Sequence, residues 1–107
     1  MSDRINEKLH ALEARVLDGF GVLPPAMRRA ASEGSALPAE LAAFASKVRD
    51  HPTQTADEDV EALHAAGYSD DEIFELTVAA AVGASMHRWR SGLQALEEVS
   101  NDASSTA

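Results

Sequence analysis

The chain is 107 residues long, carries a formal net charge of −9 and contains no cysteine. That length suggests one small domain, whose core is marginal and is often completed by oligomerisation. The charge argues against DNA, RNA and anionic membranes, which call for a basic footprint, and the lack of cysteine excludes disulfides, thiolate chemistry and zinc–cysteine sites.

Alanine is frequent and aromatics are scarce, a composition that favours helices over strands. The N-terminal "MSDRINEKLH" is charged and has no apolar signal core. The longest uncharged apolar stretch, Leu76 to Met86, is too short to span a bilayer. A cytoplasmic protein is expected.

The first helix is predicted from Asp3 to Asp18. Ile5, Leu9, Leu12 and Val16 recur there at spacings of four, three and four and make one apolar stripe. Gly19 is its stop. Pro24 and Pro25 suit a turn or a first helical position, Ala26 to Ser32 make two turns, and Gly34 ends them. A third helix starts near Pro38, with Leu37, Leu41, Phe44 or Ala45, and Val48 on one side. His51 precedes Pro52 and is biased away from helical angles, so "HPTQT" breaks the pattern. Thr55 and Glu58 have capping-box spacing. The short helix behind them turns Val60 and Leu63 inward and stops at Gly67. Asp57, Glu58 and Asp59 interact favourably with its dipole and read as a helix start rather than a metal site.

Ser69 and Glu72 form a second capping box, and Tyr68 is placed to staple onto Ile73. The helix that follows has no sure stop until about Val99. Its length, about 45 Å at 1.5 Å per residue, exceeds the width of a compact domain of this size. Either Gly83 bends it or its far half projects. Residues 1–99 make a single domain, and 100–107, "SNDASSTA", are expected to be a disordered polar tail.

From Ile73 to Met86 this helix is apolar nearly all round, which predicts a buried central helix. Ala79, Ala80, Ala81, Gly83 and Ala84 let neighbours approach closely. Beyond them Met86, Trp89, Leu93 and Leu96 trace a stripe opposite Arg88, Arg90, Glu97 and Glu98. A large apolar patch is costly to expose, and burying each of Trp89, Leu93 and Leu96 contributes about 1.5–3 kcal/mol. The stripe is therefore expected to be an oligomer interface rather than a contact within the chain.

Few polar groups border the apolar stretch. Glu75 is the only acid between Glu72 and the second half of the helix. A carboxylate in an apolar site has a raised pKa and can act as acid or base; the plainer reading is a rim residue paired with an arginine or water. His51, in the irregular link "RDHPTQT", either faces a pocket or bonds backbone. His87, beside Arg88, reads as surface or interface more readily than as a catalyst. His10, His51, His64 and His87 have no metal-ligand spacing, and no phosphate loop or nucleophile motif is present. No metal and no cofactor are expected.

The run "TADEDVEALHAAGYSDDEIFELTVAAAVGASMHRWRSGLQAL", Thr55 to Leu96, resembles the C-terminal half of the alkylhydroperoxidase D (AhpD)-like and carboxymuconolactone decarboxylase superfamily. There an acidic "T-x-E-D-V-x-x-L" helix precedes "A-G-Y/L-S-D-D-E-I" and a long alanine-rich helix. "KVRDHP" resembles the end of the preceding family helix. The resemblance implies an all-α, AhpD-like helical bundle with a long buried C-terminal helix, built as a homo-oligomer, a dimer or higher. The family's peroxidases carry a CxxC with a nearby histidine upstream of this region. "LPPAMRRAASEG" has neither, so thiolate attack on a peroxide is excluded, and the upstream half looks shortened. The expected protein is an AhpD-like oligomer without the redox cysteines, binding a small molecule or serving as a protein-interaction module. The alternative is a cofactor-independent enzyme of the decarboxylase type. Glu75, His51 and His87 are then candidates for proton transfer, and Arg88 for holding a carboxylate.

Overall fold

Alanine-rich segments punctuated by proline and glycine fold into helices. The computed structural model describes residues 3–105, with side chains described through Asp102. It contains α1 (Asp3–Asp18), α2 (Pro25–Glu33), α3 (Ala39–Asp50), a short 3-10 turn (Pro52–Gln54), α4 (Asp57–Ala65) and α5 (Asp70–Ser105). No strand occurs among the described residues. The all-α expectation holds.

Local chemistry sets the boundaries. Pro25 occupies the first turn of α2, where its missing N–H leaves no bond unmade. Gly34 ends that helix at φ 75°, and the N–H groups of Gly34 and Ser35 both donate to Ala30 O, at 2.9 and 3.0 Å. A side chain would strain this left-handed position. The Ser69–Glu72 capping box forms as read. Ser69 N donates to Glu72 Oε1 at 2.9 Å, and Glu72 N donates to Ser69 Oγ at 3.2 Å.

The Thr55–Glu58 box does not form. Thr55 Oγ1 instead donates to Pro52 O at 2.7 Å, closing the 3-10 turn. The start of α4 therefore shifts along the chain, and Asp59 takes the N–H of Ala56 at 2.9 Å. Lys47 Nζ of α3 also reaches Asp59, at 3.0 and 3.1 Å.

The α5 helix is continuous through Gly83 and runs to Ser105, six residues beyond Val99; Thr106 and Ala107 lie outside the described residues. At 1.5 Å per residue it is about 54 Å long, and it sets the long axis of a molecule measuring 61 × 28 × 21 Å. A Cβ on Gly83 would lie 2.1 Å from Ser32 O, so the glycine lets α2 cross α5 at close range. The α2 and α3 helices make the most extensive contacts with α5. The α1 helix lies along the second half of α5 in the opposite direction, with Asn6 beside Trp89 and Leu17 nearer Gly83.

The core gathers Leu17, Leu23, Ala31, Leu41, Phe44, Ala45, Val48 and Leu63 around Ile73, Leu76, Ala79 and Ala80 of α5. Two expectations need correction. The Ile73–Met86 stretch is not buried all round, because Phe74 is 67 % exposed and Ala81 and Ser85 are also exposed. Four shorter helices cover one side of so long a rod and leave the other open. On α1 it is Leu17 that enters the core, while Ile5 and Leu12 of the predicted stripe remain exposed.

Candidate functional site

The candidates for chemistry separate in space. Glu75 projects from the first half of α5 beneath the loop joining α1 to α2. Its Oε2 accepts the N–H of Val22 at 2.8 Å, and its Oε1 accepts that of Leu23 at 3.2 Å. Gly21 lies against the same carboxylate, where a Cβ would fall 2.3 Å from Oε1. From the other side comes Arg28, a charged side chain buried in the core at 3 % exposure. Its guanidinium donates to Val16 O at 2.9 Å, Gly19 O at 2.6 Å and Leu23 O at 3.2 Å, with Nε 3.9 Å from Glu75 Oε1.

Arg28 thus satisfies carbonyls at the C-terminal end of α1, and Glu75 satisfies amides of the loop. Two opposite charges hold the loop by its backbone. Burying either without partners would be costly; together they make a clamp. The plainer reading of Glu75 is the nearer one. It missed that backbone amides are the principal partners.

His51 is exposed at the end of α3, where its N–H donates to Lys47 O at 2.8 Å and its carbonyl accepts from Gln54 N at 2.9 Å. Neither His51 nor Glu75 lines the cleft between α1, α2, α3 and α5 or a smaller one beside Phe44, Val60 and Thr77. His87 and Arg88 do meet, in the larger one. This cleft, of about 530 Å³, opens where the C-terminal ends of α2 and α3 reach α5 and α1. Leu17, Gly83 and Ala84 line it alongside Arg29, Arg49, Arg88 and Arg90, and Glu13, Glu33 and Asp50 complete its wall.

The arginines there have different duties. Arg29 forks onto Asp18, with Nε 2.7 Å from Oδ1, and this contact holds the Asp18 carboxyl below the usual carboxylate range. Arg90 Nη2 donates to Glu13 at 3.0 and 3.3 Å. Arg49 Nη1 donates to Ala31 O of α2 at 2.8 Å, and Arg88 Nη2 donates to Arg49 O of α3 at 3.0 Å. Sequence reasoning singled out Arg88 but not Arg49 or Arg28. A lone cation in a helical pattern gives no sign that three helices will bring it to one place.

The proposed oligomer stripe divides. Met86 is buried by its own chain, and Trp89 is half-buried with Nε1 donating to Asn6 Oδ1 of α1 at 3.1 Å. Leu93 is half-buried, and Leu96 is exposed. A different stripe faces outward. At about 100° per residue, Phe74, Val78, Ala81, Ser85, Gly92, Leu96 and Val99 fall on one side of α5, opposite the core. All but the half-buried Val78 are exposed. Phe20 and Val22, also exposed, ride on the loop that Glu75 holds beside the Phe74 end.

Among the described residues, no group of three or more histidine or acidic side chains is arranged to hold a metal ion, and no helix is long and apolar enough to cross a membrane. No protein-family model, curated protein or solved structure matches the chain.

Proposed function

We propose that the chain is a short AhpD-like helical protein, without redox chemistry, that works through assembly. Two copies pair along the outward stripe of α5, and the assembly is an interaction module rather than an enzyme. The observation that carries this reading is the uncovered face of α5, with Phe74, Leu96 and Val99 exposed along it. Small residues between them, Ala81, Ser85 and Gly92, allow a second helix to come close. Large exposed apolar patches mark interaction sites, and the resemblance to an oligomeric superfamily points the same way.

The interface thus moves from the side of Met86, Trp89 and Leu93, which α1 occupies, by about a quarter turn around α5, and Leu96 borders both.

The test is the pair of variants Phe74→Glu and Leu96→Glu, examined by sedimentation. Each places a charge on the stripe without touching the core. Both are expected to sediment as monomers with an unchanged helical circular dichroism spectrum. Variants that assemble like the unaltered chain would remove the stripe from the interface.

A further inference from the structure

We propose that the cleft between α1, α2, α3 and α5 binds a small organic anion, a molecule bearing a carboxylate or phosphate group, through Arg49 and Arg88. The chain has nine lysines and arginines and a formal charge of −9. Four of those nine cations line this cleft with Glu13, Glu33 and Asp50, and with Asp18 bound to Arg29 the local charges balance, whereas the chain as a whole is strongly negative.

Two of the four are neutralised, Arg29 by Asp18 and Arg90 by Glu13. Arg49 and Arg88 are not. Each gives one N–H to a helix-terminal carbonyl, and among the described residues neither has a carboxylate within ion-pair distance. Those carbonyl bonds hold the two guanidinium groups at the cleft wall, and each guanidinium has further N–H donors beyond the one so engaged. A guanidinium edge matches the paired oxygens of a carboxylate or phosphate, and a held one loses little freedom on binding.

The cleft suits a molecule of modest size. Its volume, about 530 Å³, falls within the usual range for small-molecule sites. Leu17 and Ala84 supply the apolar part of its lining. Glu33 and Asp50 on the wall disfavour an extended polyanion, which leaves a compact carboxylate or phosphate monoester as the fitting class.

The test titrates the full chain separately with succinate and with inorganic phosphate at low ionic strength, followed by amide nuclear magnetic resonance. Saturable shifts are expected at the amides of Gly83, Ala84 and His87 with at least one probe, and the tighter of the two identifies the acidic group. Arg88→Gln, an exposed substitution that the core does not feel, should weaken binding by about tenfold or more. Arg88→Lys, which keeps charge but loses the fork, should fall between. Arg49→Gln should act as Arg88→Gln does; if it fails to fold for want of its bond to Ala31, the Arg88 pair decides alone. Absence of saturable shifts with both probes, or Arg88→Gln binding as tightly as the unaltered chain, overturns the proposal.

Discussion

A single hydrogen in place of a methyl group sets how near α2 can come to α5. Gly83→Ala drives a Cβ into Ser32 O, a backbone atom that cannot step aside. The two helices must then part, at a cost of about 1–3 kcal/mol, measurable as a lowered urea midpoint. In sequence the same glycine reads either as a bend or as one of several small residues that admit a neighbour, because glycine weakens helices and nothing local reveals which segment, about fifty residues away, comes close. The Arg28–Glu75 clamp was similarly half legible. Glu75 stands out as an isolated acid in apolar surroundings, whereas the amides of Val22 and Leu23 that it receives lie more than fifty positions upstream. Glu75→Gln keeps the shape but weakens charge-assisted bonds, and is expected to destabilise the chain by about 1–3 kcal/mol in denaturant unfolding. A stability unchanged by this substitution would show that the loop is not held this way.

Helix ends follow sequence wherever their chemistry is local. The Ser69–Glu72 box was legible because every partner lies within four residues. The Thr55–Glu58 box failed because the 3-10 turn after Pro52 engaged the threonine first, and Asp59 assumed the capping role. Asp59 also ties α4 to α3. The bond from Lys47, and then that from the Ala56 N–H, holds its carboxyl below the usual range. Asp18, bonded by Arg29, is lowered in the same sense and ties α1 to α2. A lowered folded pKa means that each contact adds stability above the unfolded carboxylate range, near pH 4. That stability is lost as pH falls through the folded value. Thermal melts should therefore show stability declining below about pH 4, and the decline should flatten when Asp59→Asn and Asp18→Asn are combined. An equally steep acid limb in the double variant would place the linkage elsewhere.

At the scale of the whole molecule, composition foretold an all-helical chain and the cap at Ser69 foretold its long last helix. How that helix is covered was not legible. An apolar run with few charges reads as buried on every side, yet the length of the partner helices decides how much of it they can reach. The radius of gyration is 16.8 Å, against about 13 Å for a compact domain of this length. The shape is that of a rod with its packing gathered on one flank. The measurement that bears most directly on this account is the molar mass of the unaltered chain in solution, by light scattering across a dilution series. We expect a species of at least twice 11.3 kDa that dissociates on dilution with its helix content retained. A mass of 11.3 kDa at every concentration would contradict it, because the open side of α5 would then face water alone.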